Sequence, residues 1–87
     1  MICHEGLLEL KKHDEENQTQ YMETLRVYLE QHLSATQAAR ELFIHRSTFL
    51  YRLDRIKEIL QSELDDPEEI FYLELSFRLL EQEQEKE

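Results

Sequence analysis

Hydrogen-bond donors and positive charges are concentrated in one short stretch of this 87-residue sequence, between residues 46 and 55. In chain order they are Arg46, Ser47, Thr48, Tyr51, Arg52 and Arg55. Guanidinium and hydroxyl groups are suited to binding phosphate oxygens and the edges of nucleic-acid bases. Residues 40–60 hold five basic and three acidic side chains, although the whole chain carries a net charge of −10. A basic stripe on an acidic body favours binding of nucleic acid through this stretch.

Other kinds of chemistry find little support in the sequence. The histidines at positions 4, 13, 32 and 45 lack the spacing of a metal site, and no nucleophile–base pair or glycine-rich phosphate loop is present. We therefore predict no catalytic residue, no metal, no cofactor and no enzymatic activity. Cys3 is the only cysteine and cannot form an internal disulfide. Because no secretory signal and no apolar run of membrane-spanning length is visible, we expect a cytoplasmic protein without a membrane segment.

The donors lie within a pattern that predicts two consecutive helices separated by a tight turn. Ser34, followed three residues later by Gln37, is a capping-box pattern and predicts a short helix over about 35–43. A break of about three residues containing Ile44 precedes a longer helix over about 46–60. An apolar stripe runs along that longer helix, formed by Phe49, Leu53, Ile56 and Leu60. A short capped helix, a turn and a longer helix form the layout of a helix-turn-helix.

The flanking sequence predicts further helices and no strands. One Gly and one Pro in 87 residues leave few interruptions of a helix. We expect an all-α fold, a small helical bundle that contains the helix-turn-helix and has an extra C-terminal helix. The predicted elements around the motif are a leading helix over 4–12, a connection over 13–19, an amphipathic helix over about 20–32, a loop over 61–65 and a final helix from Asp66-Pro67 to about Gln82. The corresponding division is 1–19 for the leading helix and connection, 20–82 for the helix-turn-helix domain and 83–87 for a frayed acidic tail.

The final helix has two apolar stripes on opposite sides. One consists of Ile70, Leu73, Phe77 and Leu80, and the other of Phe71, Tyr72, Leu75 and Leu79. One stripe is enough to close a small core, and a helix that is apolar nearly all round is usually buried on two sides. We therefore expect the second stripe to meet a second copy or another region of the protein. The alternative is that the leading helix covers it.

Several separated blocks resemble the C-terminal helix-turn-helix of PucR-type regulators, a group that includes purine-catabolism and sugar-diacid regulators. The blocks are SATQAARELFI, HRSTFLYRLDRI and LDDPEEIFYLELSFRLL, and the resemblance extends from about Leu8 to Leu80. A more distant resemblance links the T-x-A-A…I-x-R-x-T core to the DNA-binding end of the Fis protein. Two positions depart from the PucR-type pattern, which usually has Asn where Ser47 stands and commonly a basic residue where Leu50 stands.

The resemblance implies a DNA-binding module at the C-terminal end of a longer regulator whose N-terminal region senses a metabolite. By position it implies that Thr36 lies near a phosphate and that the DNA-facing residues of the second helix are Arg46, Ser47, Thr48, Tyr51 and Arg52. The predicted function is a sequence-specific DNA-binding domain of a bacterial transcription regulator, with a recognition helix over about 46–60.

The predicted docking puts two groups of residues on double-stranded DNA. Arg46, Ser47, Leu50 and Tyr51 enter the major groove, and Thr36, Thr48, Arg52 and Arg55 hold the backbone. A homodimer or docking to an N-terminal sensor region is expected in addition. The alternative function is a protein-interaction or dimerisation module that keeps the helix-turn-helix packing without binding DNA, which the acidic total charge and Leu50 favour.

Overall fold

The computed structural model describes residues 3–85, and for residues 84 and 85 it describes the backbone alone. Within this part the chain is helical and without strands, which confirms the predicted all-α class. The five helices are α1 (Glu5–Asn17), α2 (Tyr21–Glu30), α3 (Ala35–Leu42), α4 (Arg46–Leu60) and α5 (Pro67–Glu85).

The helix-turn-helix is formed by α3 and α4, and its bounds agree closely with the sequence prediction. The Ser34 hydroxyl accepts a hydrogen bond from the backbone N–H of Gln37 at 3.2 Å, so the predicted N-cap is confirmed. Helix α3 ends at Leu42, and the left-handed backbone of its C-cap residue Phe43 (φ 58°) lets the N–H of Ile44 reach the carbonyl of Ala39 at 3.1 Å. This tight ending turns the chain directly into α4.

The core forms where α1, α2 and α3 surround the inner face of α4. All four residues of the predicted α4 stripe are buried, and Phe49 and Ile56 are fully so. Ala38 and Ala39 are buried as well, and their small side chains allow α3 to approach its neighbours closely. Consequently the inner face of α4 is fixed by packing, and the residues on its opposite face are exposed to solvent.

Helix α1 is longer than predicted and belongs to the same core. The prediction of a connection from His13 onward was wrong, because the helix continues to Asn17. The Asp14 carboxylate accepts hydrogen bonds from the backbone N–H groups of Tyr21 (3.0 Å) and Met22 (2.8 Å), and the His13 ring stacks on Tyr21 at 5.1 Å. Through these contacts Asp14, near the end of α1, caps the start of α2.

Gly6 allows α1 to lie against the end of α4. A Cβ atom at this position would sit 3.0 Å from the carbonyl oxygen of Leu60 and 3.1 Å from its Cα. Leu7 and Leu10 follow and are fully buried, so the leading helix contributes to the interior of the domain.

Helix α5 begins at Pro67 as predicted, with the Asp66 carboxylate accepting from the N–H of Glu68 at 3.0 Å. It continues to Glu85, beyond the predicted end at Gln82, and residues 86 and 87 of the predicted frayed tail lie outside the described residues. Leu73, Phe77 and Leu80 are buried. The helix packs mainly against α2.

A cluster of side chains around His4 connects α1 to α5. The backbone N–H of His4 donates a hydrogen bond to the Ser76 hydroxyl at 2.9 Å. The ring Nε2 of His4 lies 3.1 Å from the Glu69 carboxylate, and this carboxylate also accepts a hydrogen bond from the Ser62 hydroxyl. Burial alone would raise the pKa of Glu69, but the hydrogen bonds from Ser62 and His4 lower that pKa below its ordinary value. The cluster therefore holds a charged carboxylate at the start of α5.

Candidate nucleic-acid interface

The start of α4 presents exposed donors and an open helix end. Arg46, Ser47 and Thr48 are the first three helical residues, and all three are exposed. The side chain of His45, the N-cap residue, makes no capping hydrogen bond. The first amide groups of a helix have no partner within the helix and carry a partial positive charge, so they favour an anion. The geometry suits a phosphate or a base edge at this end of α4.

Tyr51 and Arg52 extend this surface along α4, and they differ in how firmly they are held. Tyr51 is 62% exposed. Arg52 is half-buried, and its Nη1 donates to the Thr24 hydroxyl on α2 at 3.2 Å. Arg52 thus links α4 to α2, and its other guanidinium N–H groups have no hydrogen-bond partner among the described residues. Thr48, Tyr51 and Arg52 come together along one groove, which α4 forms with the residues before α2.

Leu50 and Arg55 are less available than the other predicted residues. Leu50 is half-buried and packs against the core, at the edge of the buried stripe. Arg55 is exposed but forms an ion pair with Glu58 at 3.1 Å. An exposed pair of this kind contributes about 0–1 kcal/mol, so a phosphate could replace Glu58 at little cost.

The preceding helix α3 and the turn after it add one residue that the sequence predicted and two that it did not assign to the site. Thr36 is exposed in the first turn of α3. Arg40 is exposed on the same helix, and among the described residues neither Arg40 nor Arg46 has an acidic partner. Phe43 is 94% exposed in the turn, and its backbone has the left-handed conformation that favours glycine. The charge of Arg40 was visible in the sequence, whereas the full exposure of an aromatic side chain was not.

Acidic side chains delimit the surface. On a helix, Ser47, Tyr51, Asp54 and Glu58 share a face, so the two acids lie beyond the first turns of α4. More than half of the remaining acids lie in residues 61–87. Among them Asp66, Glu68 and Glu69 surround a cleft beside Tyr72, together with Glu5 of α1. The charge distribution therefore leaves the first half of α4 as the part suited to a polyanion.

Two further properties bear on the kind of site. Within residues 3–85, no group of three or more His, Cys, Asp or Glu side chains is arranged to hold a metal ion. In the same part of the chain, every helix is too short or too polar to cross a lipid bilayer.

Comparison with known proteins shows the family to which the helix-turn-helix and its neighbouring helices are similar. The family model of the PucR C-terminal helix-turn-helix domain matches residues 21–79, which include α2, α3, α4 and most of α5. The chain is 38% identical over 73 residues to the purine catabolism regulatory protein of Bacillus subtilis, an alignment that covers 84% of this chain and 14% of that protein.

Two other proteins of the same organism are similar. The proline-responsive transcriptional activator PutR is 40% identical over 57 residues, covering 66% of this chain and 14% of that protein. The DNA-binding transcriptional activator AdeR is 32% identical over 74 residues, covering 85% of this chain and 18% of that protein. No solved structure was found to match. The chain spans less than a fifth of the length of these relatives. With more than half of its length matched by the family model, this chain belongs to the family of PucR C-terminal helix-turn-helix domains.

Proposed function

We propose that this chain is the sequence-specific DNA-binding domain of a bacterial transcription regulator and that α4 is its recognition helix. The observation that carries the proposal is the exposed, uncapped start of α4, with Arg46, Ser47 and Thr48 in its first turn. In a helix-turn-helix, the beginning of the second helix meets base edges in the major groove while the first helix crosses the backbone. Family membership and the regulators to which the chain is similar support a DNA-binding regulator domain.

The proposed docking divides the site by function. Arg46, Ser47 and Tyr51 face the base edges, and the half-buried Leu50 borders them. Thr36, Thr48, Arg52 and Arg55 face the phosphates, which fix the position of the domain on the duplex. The alternative of a protein-interaction module is not favoured, because it gives no reason for the exposed Arg46 at the start of α4 and the exposed Arg40 on α3, neither of which has an acidic partner among the described residues.

A salt titration of the 87-residue chain on a short DNA duplex tests this function. With about four phosphates contacted, we expect the logarithm of the binding constant to fall with the logarithm of salt concentration with a slope of about −3.6. The acidic body predicts weak binding at physiological salt. A binding constant that does not change with salt, or no binding at low salt, would contradict the proposal.

We also propose that the domain acts within a longer regulator in the cytoplasm, where an N-terminal region senses a metabolite. The support is the length of the relatives, of which this chain matches 14–18%. The names of two of them refer to different metabolism, purine catabolism in one case and a response to proline in the other. The DNA-binding surface proposed here does not depend on which metabolite is sensed.

The outer face of α5 is proposed as a self-association surface. Phe71 is 61% exposed, and Leu75 and Leu79 are half-buried but lie outside the packed core. Tyr72 meets the His4 ring at 5.4 Å, so the segment before α1 covers one part of this face. A dimer would carry two recognition helices, which read half-sites about 34 Å apart.

Sedimentation of the wild-type chain and of the double variant Leu75→Glu with Leu79→Glu tests this surface. We expect concentration-dependent association of the wild type and a monomer for the variant, because two charges at a dimer contact are costly to bury. Glu74→Gln with Arg78→Gln, on exposed positions of the same helix, is the matched control. A wild-type chain that stays monomeric at high concentration would exclude self-association and leave the sensor region as the partner of this face.

A further inference from the structure

An open groove separates the start of α2 from the exposed face of α4. Its lining includes Gln18, Thr19 and Gln20 from the loop before α2, and Thr48, Tyr51 and Arg52 from α4. None of the lining residues is acidic, and Arg52 supplies a positive charge. The groove therefore extends the proposed DNA-binding surface of α4 to the loop before α2, for which the sequence predicted no role in binding.

The floor of the groove is held by a chain of hydrogen bonds. Thr24 is fully buried, and its hydroxyl donates to the backbone carbonyl of Gln20 at 2.8 Å. The same hydroxyl accepts from Arg52 Nη1 at 3.2 Å. Arg52 is thus anchored at one nitrogen, and its guanidinium has further N–H groups that can reach a ligand. An anchored guanidinium loses less conformational entropy on binding than a freely moving one.

The rim of the groove is fixed without using the loop's glutamine side chains. Asp14 accepts hydrogen bonds from the Thr19 hydroxyl and from the backbone N–H groups of Tyr21 and Met22. Its carboxylate is hydrogen-bonded to the loop, and these three donors partly offset its charge. The Gln18 and Gln20 side chains are exposed, and Gln20 does not cap α2 although it stands at the N-cap position. Two amide groups are therefore displayed beside Arg52 on a loop of fixed shape.

We propose that this groove binds a phosphate of the DNA backbone next to the major-groove contact. In this proposal Gln18 and Gln20 donate hydrogen bonds to the phosphate from the side opposite to α4. The inference rests on the proposed function and adds a second element to the interface. Neutral amides and an anchored arginine are among the groups that bind phosphate oxygens and set the register of a protein on the duplex. A contact on each side of the recognition helix would hold α4 at one depth in the groove.

Opposite charges placed at Gln20 test the proposal. Relative to the wild-type chain on a short mixed-sequence duplex, Gln20→Lys should bind more tightly and steepen the salt slope by about 0.9. Gln20→Glu should weaken binding about fivefold, the size expected for one screened charge pair near contact distance. Thermal unfolding should show both variants folded, because the Gln20 side chain makes no capping bond and is exposed.

Gln31→Lys and Gln31→Glu are the matched controls, at the opposite end of α2. The ten residues of α2 between them separate the two positions by about 16 Å, which exceeds the Debye length of about 10 Å at 0.1 M salt. Effects at Gln20 that exceed those at Gln31 in both directions support the groove. Equal effects at the two positions, or none at Gln20, overturn it.

The function of the domain and the role of the groove fail in different ways. If Arg46→Ala weakens binding and the Gln20 variants bind like the wild type, DNA binding stands and the groove has no part in it. If the wild-type chain does not bind the duplex at low salt, the proposed function fails, and the groove fails with it.

Discussion

Replacing Arg46 with alanine is expected to weaken binding to a preferred DNA site by about ten- to a hundredfold. Arg46 is the first residue of α4 and is exposed, and the described residues offer it no acidic partner. A guanidinium at this position can bind two acceptors of a guanine edge, an interaction that contributes about 1–3 kcal/mol of discrimination. Arg46→Lys should keep part of the affinity but lose preference for one sequence, because an ammonium group lacks the planar fork of a guanidinium.

The measurement is a competition assay in which a duplex selected by the wild-type chain competes with a shuffled one. Arg78→Ala is the control, since Arg78 is an exposed arginine on α5 and changes the net charge equally. If Arg78→Ala and Arg46→Ala weaken binding equally, the loss comes from net charge alone and the assignment of Arg46 to base contact is wrong.

Replacing Leu7 with alanine is expected to destabilise the domain by about 2–5 kcal/mol. Leu7 is fully buried on α1, outside the segment that the family model matches. A domain of this length typically has a free energy of unfolding of about 4–13 kcal/mol, so this single change removes a large part of it. The expected effect is large because α1 packs against both α4 and α2, and the cavity would open where these helices meet.

The adjacent Leu8 provides a control of the same residue type on the same helix. Its side chain is 44% exposed, so Leu8→Ala should change the free energy of unfolding by only about 0.5 kcal/mol. Urea unfolding followed by circular dichroism measures both variants. Similar small changes in the free energy of unfolding for the two substitutions would show that α1 contributes little to the core.

The sequence was sufficient for the elements whose signals are local. Ser34 and Gln37 mark the start of α3, Asp66 and Pro67 mark the start of α5, and the buried stripe of α4 follows from its apolar spacing. Caps and helical periodicity depend on residues three to four positions apart, so they can be predicted from the local sequence.

The features that the sequence did not predict depend on contacts between distant residues. The segment after His13 is polar and resembles a connection, yet Asp14 caps α2 through donors seven and eight residues away. Arg52 is predicted to bind phosphate, and no local pattern indicates that it also donates a hydrogen bond to Thr24, which lies 28 residues before it. The groove beside α4 likewise joins a loop and a helix, and no local pattern indicates that they are neighbours.

Amide chemical-shift mapping of the isotope-labelled chain during titration with a short duplex tests the central claim most directly. The account predicts that the largest shifts occur at Thr36 and across residues 46–52, and that the amides of α5 change little. Shifts concentrated around Phe71, Leu75 and Leu79, with the start of α4 unaffected, would contradict the assignment of α4 as the recognition helix.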